Sequence, residues 1–204
     1  MRLNEFYQKL VAIGLPAFRT EDVAILSDIT NQHASQLLTR LGQAKQVIQI
    51  KRGVWILSEK IEPLALPYFL TIPAPSYISL QSALSYHGMI MQMPEIVYAV
   101  SLARTRIYTN PIATVSIHHL MPKMIFGYNE ISPYINMATP EKALIDFFYL
   151  HQARSRKFVK LPELELPNNF NTKRMMQYIK MIPDQKRRQK VLELYDGLSQ
   201  REIS

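Results

Sequence analysis

The chain of 204 residues contains no cysteine. This absence excludes disulfide frameworks and thiolate metal sites, and it is compatible with a reducing cytoplasm. Prolines at positions 63, 67, 73 and 75 interrupt the longest apolar stretch, so no run approaches the roughly 18 residues of a membrane-spanning helix. The first ten residues, MRLNEFYQKL, lack the apolar segment of a secretory signal. We therefore expect a cytoplasmic protein that makes no use of a membrane.

The motifs of common catalytic sites are also missing. The sequence contains no HExxH, no GxxxxGK[ST] and no GxSxG. His118 and His119 are adjacent, and on a strand they point to opposite faces, which is poor geometry for joint metal ligation. Capping and an exposed pair of charges at i and i+4 explain Glu141, Lys142 and Asp146. We expect no enzyme activity, no cofactor and no metal site.

Positive charge is concentrated at the two ends of the chain. The net charge is +8, with 8 basic and 5 acidic residues in 1–61, 4 and 5 in 62–150, and 12 and 6 in 151–204. A polyanionic partner would explain this distribution, and a solvated surface is the alternative explanation.

The first sixty residues have the pattern of a helix-turn-helix. Apolar residues recur at helical spacing from Asn4 to Ile13, and a short second helix follows Thr20. Ser27-Asp28-Ile29 makes a tight connection to a third helix, for which Thr30 is the expected N-cap. This third helix has one apolar side, formed by Ala34, Leu37, Leu38 and Leu41.

The other side of the third helix is predicted to contact DNA. Amide and hydroxyl side chains suit base edges in the major groove, and the N–H groups at the helix start suit a phosphate. The candidate DNA-binding residues on this helix are Thr30, Asn31, Gln32, Ser35, Gln36, Thr39 and Arg40.

A β-hairpin with a basic tip follows the third helix. The expected strands are 47–50 and 54–57, and Gly53 supplies the positive φ of a tight turn. Lys51 and Arg52 at the tip are further candidates for contact with phosphate or the minor groove, which makes the hairpin the wing of a winged helix. Trp55 is expected to pack against the helices. A winged helix that binds proteins instead of DNA is the alternative.

Residues 62–75 are expected to form a proline-spaced linker, with a short helix near residues 64–70. A mixed α/β domain is expected from residue 76, with strands near 77–79, 96–102, 104–110, 112–120 and 128, and a helix at 79–87. Thr139-Pro140-Glu141 is a clear helix start, since it places a cap, a proline at the first position and an acid in the first turn.

Three segments together resemble one protein family. RGVWIL in the hairpin, SLQSALSYHG from residue 79 and TPEKALIDFFYL from residue 139 resemble the AbiEi antitoxins of bacterial abortive-infection (type IV) toxin–antitoxin systems, over roughly residues 3–150. This resemblance implies a transcriptional autorepressor whose winged helix binds its own promoter. It also implies a second domain that counteracts a nucleotidyltransferase-like toxin, AbiEii, in phage defence, and it supplies no catalytic residues.

The C-terminal region is expected to form two helices within 171–198, with a basic exposed side. This side is either a second surface for phosphates or an acidic partner, or a solvated helix face. Its members are Lys173, Arg174, Lys180, Lys186, Arg187, Arg188 and Lys190.

The sequence thus predicts an α+β protein with a winged helix-turn-helix at 1–61, a linker at 62–75 and an α/β domain with a basic helical tail at 76–204. The expected function is DNA-binding autorepression combined with an antitoxin role, on double-stranded promoter DNA with inverted repeats. A monomer in solution could bind there as two copies. The alternatives are an adaptor that neutralises a toxin by direct contact and a winged-helix regulator that senses a small ligand.

Overall fold

The computed structural model describes residues 2–57, 61–151 and 163–202. These residues form a mixed α+β structure with α-helices and two β-sheets. The α+β class predicted from the sequence is therefore confirmed. Within these ranges, no helix combines the length and the apolar character that crossing a membrane requires.

The N-terminal unit alternates helices with the strands of a small sheet. Its elements are α1 Leu3–Ala12, β1 Ala17–Arg19, α2 Thr20–Leu26, α3 Asn31–Gln43, β2 Val47–Lys51 and β3 Val54–Leu57. The sheet is antiparallel in the order β1-β3-β2. The helices and the hairpin agree with the sequence prediction, whereas β1 was not predicted.

Two backbone positions shape this unit. Residues 27–30 connect α2 to α3, and Asp28 adopts a positive φ of 52° there, which aspartate tolerates better than most side chains. Gly53 has the positive φ expected for the hairpin turn, at 75°.

The second unit is built on a six-stranded sheet. Its elements are α4 Leu66–Thr71, β4 Ser76–Ile78, α5 Leu80–Tyr86, β5 Val97–Ser101, β6 Arg106–Thr109, β7 Thr114–His119, β8 Tyr128–Ser132, β9 Ile135–Ala138 and α6 Pro140–His151. The strand order is β6-β7-β5-β4-β9-β8. The pairs β4–β9 and β5–β7 are parallel, and the other neighbours are antiparallel.

Helices α4 and α6 cover opposite faces of this sheet. The Ser76 hydroxyl is 2.9 Å from the Thr71 hydroxyl of α4. The next residue, Tyr77, donates its phenolic O–H to Asp146 of α6 at 2.9 Å. Because successive strand residues point to opposite faces, α4 and α6 lie on different sides of β4.

The C-terminal helices α7 Thr172–Met181 and α8 Gln185–Glu202 pack against α6. Both helices were predicted, and the side chain of Asn171 caps α7 by accepting the Arg174 N–H at 2.9 Å. Their apolar faces are part of the core, with Met175, Ile179, Val191 and Tyr195 buried. The predicted tail is thus an integral layer of the second unit.

The hairpin β2–β3 belongs to two hydrophobic clusters at once. Val47 and Trp55 pack with the helices of the N-terminal unit. Ile50, Val54 and Ile56 belong instead to the cluster of the second unit. The segment 62–75, expected as a linker, contributes to that second cluster through α4, where Leu66 and Leu70 are buried. The hairpin is therefore packed on both faces.

Candidate nucleic-acid interface

Helix α3 has the two faces that its sequence predicts. The apolar residues Ala34, Leu37, Leu38 and Leu41 are buried, none more than 3% exposed. The polar face of α3 lies opposite, and all of its members are exposed: Gln32, Ser35, Gln36, Thr39 and Arg40. Burial of the apolar side fixes the direction in which these amide, hydroxyl and guanidinium groups point.

The start of α3 is capped as expected. Thr30 accepts a hydrogen bond from the His33 N–H through its hydroxyl oxygen at 3.2 Å, and both Thr30 and Asn31 are exposed. One hydroxyl of the polar face is engaged within the helix, because Thr39 donates its O–H to the Ser35 carbonyl oxygen at 2.8 Å. Thr39 can still accept a hydrogen bond from a base or a phosphate-bound water.

The structure gives the two cations at the hairpin tip different surroundings. Arg52 is exposed at the turn. Lys51 is half-buried, and its ammonium donates to the Leu70 carbonyl oxygen of α4 at 2.7 Å. Burial, together with the positive charges of Arg19 and Arg106, lowers the pKa of Lys51. Arg52 is thus directed to solvent, while Lys51 is directed toward the second unit.

Trp55 packs inside the N-terminal unit, as predicted. Its side chain is 5% exposed, and its indole N–H donates to the Thr20 hydroxyl at 3.0 Å. This contact fixes the hairpin against the start of α2.

The basic residues of the C-terminal helices have varied partners. Arg174 lies 3.6 Å from Glu141, Arg187 stacks over the Tyr149 ring at 4.7 Å, and Arg188 donates to the Ile182 carbonyl oxygen. Lys190 pairs with Glu193 at 3.0 Å. The remaining members of the predicted basic surface are exposed: Lys173, Lys180 and Lys186.

This basic surface and the hairpin are on different sides of the second unit. Helices α7 and α8 pack on α6, whereas Lys51 of the hairpin contacts α4, on the other face of the sheet. Both sets were candidates for contact with anionic partners, with a solvated helix face as the alternative for α7 and α8, and the fold separates the two sets.

The expected location of the Lys142–Asp146 pair is wrong. The two residues were expected to pair on the exposed side of α6, but both side chains are fully buried. Asp146 also accepts hydrogen bonds from the hydroxyls of Tyr77 and Ser79, at 2.9 and 2.8 Å. We call these four residues the buried polar cluster.

Aromatic rings enclose the ammonium of Lys142. It lies 4.5 Å from the centre of the Phe126 ring and 5.7 Å from that of Tyr77, a cation–π arrangement. Gly127 permits Tyr178 and Lys142 to pack this closely, because a Cβ there would lie 2.9 Å from the Tyr178 ring and 3.1 Å from the Lys142 Cβ. Burial lowers the pKa of Lys142 and raises the pKa of Asp146, while their mutual attraction opposes both shifts.

Glu141 is also buried, although it occupies the first helical turn as predicted. One carboxylate oxygen accepts the Asn171 N–H at 2.8 Å, and the other forms the ion pair with Arg174. Glu141 thus joins α6 to the start of α7. The sequence did carry a signal for these buried charges, since every residue from Ala143 to Leu150 except Asp146 is apolar or aromatic, and such a helix is typically buried.

Three histidines form hydrogen bonds within the fold. His119 donates its Nδ1–H to the Leu102 carbonyl oxygen at 3.1 Å, and His118 lies 3.0 Å from the Ser116 hydroxyl. His87, at the end of α5, bonds to the Ala138 carbonyl oxygen at 2.7 Å. In the part of the chain that the structure describes, no three metal-ligating side chains come together.

Comparison with models of known protein families gives no match for this chain. A search of curated proteins also finds no match.

Proposed function

We propose that this chain is a sequence-specific DNA-binding protein of the winged helix-turn-helix type. One observation carries the proposal: the polar face of α3 is wholly exposed, while four apolar residues hold the opposite side in the core. A helix held in this way can enter a major groove with base-contacting side chains foremost.

The surroundings of α3 support the same proposal. A four-residue connection from α2 precedes it, and an antiparallel hairpin with the exposed Arg52 follows it. In this arrangement α3 reads bases, Thr30 and Asn31 position a phosphate, and Arg52 contacts the backbone beside the groove. Lys51 is a weaker candidate for direct contact, because its ammonium is bonded to α4.

The biological role proposed here is autorepression of a toxin–antitoxin operon in a bacterial cytoplasm. It combines the geometry of α3 with the resemblance of the sequence to AbiEi antitoxins. Two copies would bind an inverted repeat upstream of the gene, since each α3 reads one half-site.

The first test is a fluorescence-anisotropy titration of the protein onto its own upstream DNA and onto scrambled DNA, at two salt concentrations. We expect selective binding to the upstream DNA, and loss of that selectivity in Gln36→Ala, because glutamine can bond adenine with two hydrogen bonds. Gln177→Ala is the matched control, since Gln177 is an exposed glutamine on α7.

Equal, weak and steeply salt-dependent binding to both DNAs would overturn sequence-specific recognition and leave only generic electrostatics. Unchanged selectivity in Gln36→Ala would remove Gln36 from the reading surface.

A second candidate function is a protein-binding adaptor, favoured by exposed apolar side chains at the end of α5 and in the loop that follows it. Tyr86, Met91 and Met93 are 56%, 96% and 87% exposed. Methionine is frequent in adaptable protein-binding surfaces. Co-purification with a nucleotidyltransferase-like toxin at high salt, lost in Met91→Ser/Met93→Ser, together with no affinity for DNA, would select the adaptor.

A further inference from the structure

A cavity of about 230 Å³ lies where the N-terminal unit meets α4. It is larger than a cavity of about 150 Å³, which is enough to bind benzene, so a single-ring organic molecule would fit in it. Residues from both units line it, among them Phe18, Arg19, Lys51, Val54, Phe69 and Tyr134.

One wall of the cavity is aromatic. The rings of Tyr68, Phe69 and Tyr134 lie in mutual contact, with centres 5.0 to 5.3 Å apart. The ring of Phe69 is 7% exposed, and Val54 beside it is also buried. These contacts hold the aromatic wall in place before any ligand arrives, and they favour a flat apolar group.

Two cations also line the cavity, in one row across the small sheet. Arg19 of β1 and Lys51 of β2 both pair with Val54 of β3, one from each side. Arg19 is exposed and forms no ion pair with any residue that the structure describes. Lys51 uses one of its three N–H donors on the Leu70 carbonyl oxygen, which leaves two for another acceptor.

Negative charge near these cations is limited. Asp22 of α2 is the acidic side chain in the lining, and Arg106 adds a third positive charge close to Lys51. Like charges that converge on a partly buried site repel one another, and an anion bound there would relieve that repulsion.

We propose that this cavity binds a small aromatic carboxylate. The ring would lie against Tyr68, Phe69 and Tyr134, and the carboxylate would accept hydrogen bonds from Arg19 and Lys51. A guanidinium and an ammonium on one side of an apolar cavity are the donors that a carboxylate prefers. Binding at this site does not depend on the proposed function, because the DNA-reading face of α3 takes no part in it.

The test is isothermal titration calorimetry of the full chain, without DNA, using benzoate and phenylacetate as probes. Benzamide and phenylacetamide are the matched neutral probes, since they keep the ring and lose the charge. We expect the dissociation constants of the acids to be at least about tenfold lower than those of the amides. The reason is that an amide cannot form the charge-assisted hydrogen bonds that a carboxylate accepts from the two cations.

Arg19→Gln and Lys51→Met should each weaken binding of the acids by a similar factor. Lys180→Met is the control, because Lys180 is an exposed lysine on α7. Circular dichroism shows whether each variant is folded, and Arg19→Gln changes only an exposed side chain.

Three results would overturn the proposal. The first is no heat of binding from the acids at about 10 mM, a concentration well above a millimolar dissociation constant. The second is equal binding of acids and amides. The third is acid binding that Arg19→Gln and Lys51→Met leave unchanged.

Discussion

The ion pair of Lys142 and Asp146 places two charges in the interior of the protein, with both side chains fully buried. Thr139 begins the helix that carries them, and its hydroxyl accepts the Lys142 N–H at 3.4 Å. Residues distant in sequence, such as Tyr77 and Phe126, close around the pair. The burial therefore depends on these distant residues and not on the i, i+4 spacing, which also describes exposed pairs.

Replacing Lys142 by methionine should destabilise the protein strongly. The change leaves the Asp146 carboxylate buried without its counterion, and breaking a buried pair costs about 3–5 kcal/mol in the free energy of unfolding. Urea unfolding followed by circular dichroism measures this loss. Adding Asp146→Asn to Lys142→Met should restore part of the stability, since the amide keeps hydrogen-bonding groups toward Ser79 and Tyr77 without a charge.

Lys190→Met is the matched control for Lys142→Met. Lys190 also pairs with a carboxylate on its own helix, but Lys190 and Glu193 are 54% and 52% exposed. An exposed pair contributes about 0–1 kcal/mol. Equal losses for the two variants would contradict the cost assigned to burial.

Among the elements, the helices and most strands were predicted, and the exceptions are β1 and β9. The apolar repeat of α3 sufficed to predict its buried and exposed sides. β1 and β9 could not be predicted, because each has only three or four residues and is held by its partner strands more than by an alternating pattern of its own. β9 pairs with β4 on one side and with β8 on the other, and it runs directly into the start of α6.

The hairpin tip gives a test at the scale of one element. Arg52→Ala should weaken binding to all DNA sequences alike and reduce the slope of log affinity against log salt by about 0.9, the value for one phosphate contact. Lys51→Met should change this slope less, because the Lys51 ammonium is bonded to α4. Anisotropy titrations at several salt concentrations measure both slopes.

Lys180→Ala on α7 is the control for Arg52→Ala. It removes one exposed cation from the side of the second unit that is remote from the hairpin. An equal loss of slope in Lys180→Ala would place phosphate contacts on α7, and an unchanged slope in Arg52→Ala would exclude the hairpin tip from the DNA interface.

For the molecule as a whole, the important feature is that two hydrophobic clusters share one hairpin. Prolines in 62–75 predict a stiff linker with a short helix, and Leu66 and Leu70 of this segment are buried. The sequence could not show this, because proline at the start of a helix is compatible with both an exposed and a buried helix. Val54 and Trp55, adjacent in sequence, pack into different clusters.

Unfolding should therefore be cooperative across both clusters. Leu144→Ala removes a buried side chain of α6, which should cost about 2–5 kcal/mol. Trp55 is the single tryptophan and lies in the first cluster, so its fluorescence reports on the N-terminal unit. We expect Leu144→Ala to shift the Trp55 transition in urea by the same amount as the transition seen by circular dichroism.

A Trp55 transition that Leu144→Ala leaves in place would contradict this expectation. The N-terminal unit would then unfold independently of the second cluster.

The shared hairpin also has a consequence for synthesis on the ribosome. The chain emerges from its N-terminus, so β2 and β3 leave the ribosome before most residues that cover Ile50, Val54 and Ile56 have been made. The face of the hairpin that carries these three apolar residues stays in contact with water, or with a chaperone, during that interval. A nascent chain can assemble α1 to α3 early, but it completes the hairpin only when the second unit has emerged.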